Sequence, residues 1–330
     1  MGKTILGVDV GIDTLKLALC KDGRIKKSAI VEMPANHFKD NRFTEPRVMA
    51  ELLRSVLKQN HMFAHWAAIV LPNDMAYVRT VTVPLMTAEH LKKNLAYEFS
   101  DYIEDEARNY VFDYAMLSDP KNDGADTMEL LAVACSAELI EQARDILGMA
   151  NLSLVRAAPA ECAFISLIRQ LEKREPPKEP RDYCILDLGY RAIRMFMYRG
   201  DRHMVTRVLE TGIRSVDEAI AAAMGVDEQL AHTFLASNYE GVQERQFCIE
   251  AYNSLTVELM RALNFYRFSN PDSSLSDVWL CGGGAGNAAL RKVISETLDL
   301  SVHLGEELVP GGEEVPKCNH LLQAVGVTLE

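Results

Sequence analysis

The chain has 330 residues, with 35 basic and 47 acidic side chains and a formal net charge of −12. That balance excludes a general nucleic-acid binder, which needs a basic surface to displace counterions. Apolar residues make up 48% and charged residues 25%, which suits about two globular domains, and no apolar run reaches the roughly 18–20 residues of a membrane span.

In chain order, the first pattern is a β-meander over residues 4–33. A short apolar strand runs into Asp9-Val10-Gly11, a second strand follows, Asp22-Gly23 turns the chain, and a third strand closes the unit. The N-terminal stretch reads as neither a secretory signal nor a myristoylation site. A helix is expected over 47–60, with Val48, Leu52, Leu53, Val56 and Leu57 on one face. His61 and His65 have a spacing that could hold a metal on a helix, but no third ligand is evident, and Phe63 and Trp66 point to a structural role. A strand over 66–71 follows.

Residues 76–150 read as a small α/β subdomain inserted in the first lobe. Its expected parts are a strand over 78–84, a helix over 88–100, strands over 110–116 and 129–135, and a helix over 137–149. Extended to 103, the first of these helices sets Leu91, Leu95, Phe99 and Tyr102 on one stripe, a pattern compatible with core packing. An apolar helical stretch closes at Leu171, and the charged, proline-rich run 172–180 reads as a linker.

Residues 183–209 then repeat the opening meander. Asp187-Leu188-Gly189 stands 178 residues after Asp9-Val10-Gly11, and Gly200-Asp201 takes the place of the later turn. A helix over 215–224 is expected to open with a capping box of Ser215 and Glu218. A long helix over 247–268, a buried strand over 277–281, a glycine turn at 282–286 and a helix over 288–299 follow. A closing helix is expected over 318–329. The expected organisation is lobe one, first part (1–75), the inserted subdomain (76–150), a lobe-one helix and linker (151–180), lobe two (181–317) and a C-terminal helix returning to lobe one (318–330).

Asp-x-Gly at the mouth of a hairpin suits a phosphate, because glycine allows close backbone approach and the turn amides face the anion. A neighbouring carboxylate can hold Mg²⁺ through water. A glycine turn that opens a helix suits a nucleotide for the same electrostatic reason. The turn is neither a dinucleotide fingerprint, since Asn287 stands where the third glycine would be, nor a Walker A loop. The seven cysteines are scattered, odd in number and without C-x-x-C spacing. They form no disulfide framework or zinc motif, and the chain reads as cytosolic.

Two Asp-x-Gly hairpins and a late Gly282-Gly283-Gly284 turn resemble the actin-like ATPase superfamily, in the order phosphate-one, phosphate-two, adenosine. Within it the chain resembles the PilM family of type IV pilus assembly, which is related to FtsA. The stretch VRTVTVPLMTAEHLKKNLAYEFSDYIEDEARNYVFDYAML resembles that family's inserted subdomain, and TRVLETGIRSVDEAIAAAMGV and LLQAVGVTLE match it further. The implied fold is α/β and two-lobed, a duplicated ribonuclease H-like, actin-like architecture with the insertion in lobe one. The implied cofactors are ATP and Mg²⁺, contacted by Asp9, Gly11, Asp13, Thr14, Lys16, Asp187, Gly189, Arg191, Gly282, Gly283 and Gly284, with Asp9 and Asp187 on the metal. Ile12-Asp13 and Tyr190-Arg191 replace the small hydroxyl residues usual after the glycines, and His232 and Leu235 replace a Glu and a Lys usual on the adenosine side. An acid facing a triphosphate repels it, so the sequence also admits a degenerate site without nucleotide.

The function implied is a non-catalytic scaffold at the cytoplasmic face of the inner membrane, in a type IV pilus or pseudopilus assembly platform. It would bind the N-terminal tail of a PilN-like membrane protein at a groove bordering the inserted subdomain, and contact other platform proteins or the motor ATPase. It would not insert in the membrane. Leu91, Leu95, Phe99, Tyr102, Asp101 and Glu104 are the expected partner-binding residues, the acids suiting a tail with Lys or Arg. A slow ATPase or phosphotransferase using Asp9, Glu161 and Asp187 is the enzymatic alternative. An FtsA-like filament former is the third.

Overall fold

A computed structural model describes residues 3–33, 38–39, 42–103, 106–117 and 126–329. They fall into two units: Met1–Leu167 together with Gln323–Glu330, and Ile168–Leu322.

The first unit opens with the meander β1 (Thr4–Val10), β2 (Thr14–Lys21) and β3 (Arg24–Glu32), antiparallel throughout. Two short strands, β4 (Phe38–Lys39) and β5 (Arg42–Phe43), precede α1 (Pro46–Gln59) and β6 (Trp66–Val70). Pro46 suits the first turn of α1, where its missing N–H leaves no bond unmade. Met49, Ala50, Leu53, Val56 and Leu57 then recur at helical spacing and are buried. His61 lies beyond the end of α1 in a left-handed conformation, so His61 and His65 share no helix face. His65 instead sets its ring edge against Trp66.

The three-stranded part of the expected insertion comprises β7 (Ala76–Pro84), α2 (Ala88–Glu98), β8 (Tyr110–Met116) and β9 (Thr127–Ser136); α3 (Ala137–Met149), expected to belong to it, instead buries Leu139, Ala143, Ile146 and Leu147 in the core that holds α1 and β1. The strands of the three-stranded part form an antiparallel sheet in the order β7-β9-β8. Val81, Val83, Leu91, Leu95, Phe99, Leu130 and Ala132 form its core. The helix is shorter than its stripe implied. Thr87 caps its start by accepting from the His90 amide at 3.3 Å, and Phe99 already leaves helical geometry. A strand absent from the sequence reading, β10 (Ser153–Ala158), then leads into α4 (Ala160–Arg174). The unit's main sheet runs β10-β6-β1-β2-β3, with β6 parallel to both β1 and β10.

The second unit repeats this plan. The meander β11 (Asp182–Leu188), β12 (Ile193–Arg199) and β13 (Arg202–Leu209) is followed by α5 (Arg214–Met224), α6 (Glu228–Ser237) and α7 (Gln246–Ser269). Then come β14 (Asp277–Cys281), α8 (Ala288–Thr297) and β15 (Ser301–Leu304). The sheet order β13-β12-β11-β14-β15 is that of the first unit, with β11 standing for β1 and β14 for β6. Residues of β11 and β14, buried on both faces, read as continuous apolar runs for that reason.

Several boundaries differ from the sequence reading. The division between units falls at Leu167/Ile168 inside α4, so the proline-rich run belongs with the second unit. No capping box opens α5: Ile213 occupies the cap without a side-chain bond, and the Ser215 hydroxyl donates to the Gly212 carbonyl at 2.8 Å. Helix α6 carries His232 and Leu235, and Asp227 starts it by accepting from the Leu230 amide at 2.8 Å. The closing helix α9 (Leu322–Gly326) is shorter than expected. It lies against the first unit's own β1 and α4. A side chain on Gly7 would collide with the Ala324 carbonyl, and one on Gly326 with that of Ala163.

Candidate functional site

In the first unit, Asp9 stands next to last in β1, opposite Lys16 of β2. Asp9 is buried, and the Lys16 ammonium reaches its carboxylate at 3.0 Å. The hairpin closes through the Gly11 amide, which donates to the Thr14 carbonyl at 2.9 Å. A side chain at Gly11 would crowd Thr14 at 3.0 Å and come within 3.9 Å of the Lys16 ammonium. Asp9, Gly11, Thr14 and Lys16 therefore lie together at the mouth of the hairpin. Asp13 is exposed on the turn, where its carbonyl accepts from the Met33 amide at 3.0 Å. Asp9 is in register with Val70, and Val70 with Ala158, so α4 starts at the same end of the sheet. Glu161, buried in the first turn of α4, is placed there. That end, at the carboxyl termini of the parallel strands, is where open α/β sheets take ligands.

In the second unit, Asp187 is next to last in β11, opposite Arg194, and in register with Cys281 at the end of β14. The glycine turn therefore begins beside it. Gly282 has φ +80°, and a side chain there would strike the Asp187 carboxylate, so glycine is required twice over. Its amide donates to the Asn319 carbonyl at 2.9 Å. Asn319 had not been singled out; it also bonds the amide and carboxylate of Glu306 at 2.7 and 2.9 Å. Gly284 packs against Ile213 and Leu188, with no room for a Cβ, and Gly283 faces His320.

The loop after Gly189 is anchored on α5. The amides of Ile213 and Arg214 donate to the carbonyls of Gly189 and Tyr190 at 3.0 and 2.9 Å. The Tyr190 ring stands edge-on to His232, 5.4 Å between centroids, and His232 Nδ1 lies 2.8 Å from the carboxylate of fully buried Asp217. Leu235 is core. Arg191 is exposed.

The partner-binding expectation needs correction. Leu91, Leu95 and Phe99 are each 2% exposed or less and form the subdomain core, because α2 turns that stripe onto its own sheet. Tyr102 lies beyond the end of α2, 47% exposed, with the Arg79 guanidinium 4.3 Å over its ring. Tyr97, at 75%, is exposed on the opposite side of α2 from the core. Asp101 is exposed, and Glu104 lies outside the described residues. Among the described residues there is no cluster of three metal-ligating side chains, and no helix is long and apolar enough to cross a membrane.

The model of the family described as "Type IV pilus assembly protein PilM" matches residues 7–308. The fold is similar to that in a PilM-PilN type IV pilus biogenesis complex, with 21% identity over 99% of this chain and 98% of that one, and a TM-score of 0.80. Ethanolamine utilization protein EutJ from Carboxydothermus hydrogenoformans follows at 14% identity, 98% and 88% coverage and a TM-score of 0.60. The nucleotide-free diol dehydratase-reactivating factor is 10% identical over 99% of each chain, with a TM-score of 0.58. No curated protein sequence matches the chain. With a family match across nearly its whole length and the duplicated actin-like fold in place, the chain belongs to the PilM family of type IV pilus assembly proteins.

Proposed function

We propose that this protein is a peptide-binding scaffold of a type IV pilus or pseudopilus assembly platform. It works in the cytoplasm and is held at the inner membrane by the N-terminal tail of a PilN-like protein. The observation that carries this reading is the correspondence, over 99% of the chain, with the PilM-PilN complex, since that coverage takes in the inserted subdomain. With Leu91, Leu95 and Phe99 committed to the core, the tail-binding face is assigned to Tyr97, Asp101 and Tyr102. The exposed Tyr97 ring and the Asp101 carboxylate suit a tail carrying Lys or Arg among apolar residues, while the Tyr102 ring already carries the Arg79 guanidinium and offers its edge to apolar groups.

The hairpins support a second role for the same scaffold. In the first unit Asp9, Gly11, Thr14 and Lys16 converge, and in the second Asp187 meets the glycine turn, so each hairpin by itself offers backbone and charge types that suit a phosphate group. A bound Mg²⁺-ATP would supply compact negative charge for Lys16 and the turn amides. Exposed Asp13 and the ring of Tyr190 stand where hydroxyl groups would be expected, which favours a ligand over a substrate. Nucleotide would then bias conformation rather than turn over.

The test is calorimetric titration of the full chain with a peptide of the PilN-like protein's N-terminal segment, with and without ATP and Mg²⁺. Saturable peptide binding that Tyr97→Ala and Tyr102→Ala weaken is expected. An absence of peptide binding in both conditions would overturn the scaffold reading. ATP binding that survives Lys16→Ala would overturn the hairpin assignment.

A further inference from the structure

The duplicated fold gives two meanders that end in equivalent outer strands, β3 and β13, each last in its sheet. An outer strand offers backbone donors and acceptors to any passing chain, and proteins commonly blunt it with charge. Strand β3 follows that rule. Arg24, Lys26 and Lys27 stand along it, and Lys27 donates to the Asn60 and His61 carbonyls at 3.5 and 2.6 Å. Strand β13 departs from it. Its sequence, RHMVTRVL, carries only Arg202 and Arg207 as fixed charges.

The helix beside β13 is also unusual. Phe265 and Phe268 stand at i, i+3 on α7, and Phe268 is 86% exposed. Arg207 of β13 lies over the Phe265 ring, its guanidinium 5.1 Å from the centroid. Arg261, one turn before Phe265, is exposed on the same helix face. The register explains the contact. Arg207 is opposite Met195, whose side chain enters the core beneath the helices, so Arg207 points to the helix side of the sheet. An open strand edge, two exposed phenyl rings and two arginines thus adjoin in a chain whose net charge is −12.

We propose that β13 and the C-terminal half of α7 form a docking surface for an extended segment of a partner protein, with acidic and apolar residues alternating. Such a segment would add a strand beyond β13. Its apolar side chains on the helix side would cover Phe265 and Phe268, and its carboxylates would meet Arg207 and Arg261. Charge complementarity selects the acidic partner, because a basic segment would be repelled by both guanidinium groups.

The experiment uses the full chain and three labelled synthetic peptides: an alternating Glu/Val-Phe sequence, its Lys counterpart, and the Glu sequence interrupted by proline. Fluorescence anisotropy gives affinity, and hydrogen exchange maps the contact. The proposal expects binding of the acidic peptide alone, slowed exchange of the β13 amides, and about a tenfold or greater loss of affinity in Phe265→Ala/Phe268→Ala, the scale of truncating interface aromatics. Arg207→Glu/Arg261→Glu should transfer preference to the Lys peptide. These are surface substitutions, so folding is preserved, and circular dichroism checks it. Equal binding of acidic and basic peptides, protection elsewhere, or a second copy of this chain occupying the surface at working concentration would each overturn the proposal.

Discussion

His203, in β13, turns acid sensitivity of the second unit into a quantitative question. The residue is 6% exposed, with its Nε2 2.9 Å from the Thr206 hydroxyl and its ring edge against Tyr198. Its Nδ1 has no hydrogen-bond partner among the described residues. Burial without a carboxylate or second acceptor penalises the imidazolium, and the pKa falls from 6.5 to about 4. The unfolded chain therefore takes up the proton first. Stability from this residue is complete above about pH 6.5 and is lost as pH falls towards 4. The full loss is about 3 kcal/mol, and roughly 2–3 kcal/mol is gone by pH 4.5. Trp66 and Trp279 belong to different units, so a Trp66→Phe background makes fluorescence report the second. Urea unfolding of that protein and of its His203→Gln variant, at pH 7.5 and 4.5, isolates the histidine from the carboxylates both share. Glutamine keeps a polar group near Thr206 but does not titrate. The variant should be the less stable protein at pH 7.5 and should lose about 2–3 kcal/mol less on acidification. Identical acid losses in the two proteins would refute the reasoning.

Further expectations follow from the packing. Gly282→Ala meets both a left-handed backbone and the Asp187 carboxylate; a loss of roughly 1–3 kcal/mol is expected by thermal unfolding, with ATP affinity reduced if the hairpin assignment holds. Leu95→Ala should cost about 2–5 kcal/mol in urea, whereas exposed Tyr97→Ala should stay within about 0.5 kcal/mol of wild type and affect only peptide affinity. Asp182, 2% exposed, accepts from Arg199 at 3.1 Å, the Ser273 hydroxyl at 2.6 Å and the Ser274 amide at 3.0 Å. Asp182→Ala leaves those donors unpaired and should cost about 3 kcal/mol by chemical unfolding.

The sequence by itself determined the duplication. Asp9 and Asp187 stand at matching strand ends because both meanders open with an apolar strand running into Asp-x-Gly, which is a local property. It also marked the glycine turn by composition, although the φ of +80° at Gly282 and its contact with Asp187 come from the folded chain, through the pairing of β11 with β14, strands far apart in the sequence. The short parallel strands β10 and β15 escaped sequence reading because parallel partners are distant and such strands lack an alternating face. The partner stripe failed for a related reason. A helix period shows which residues share a face, not whether sheet or solvent meets it, and only the packing of α2 on β7, β8 and β9 sent Leu91, Leu95 and Phe99 inward. The contrast between β3 and β13 was likewise decided by tertiary structure, since which strand ends a sheet depends on the order of pairing, and pairing is a property of the folded chain.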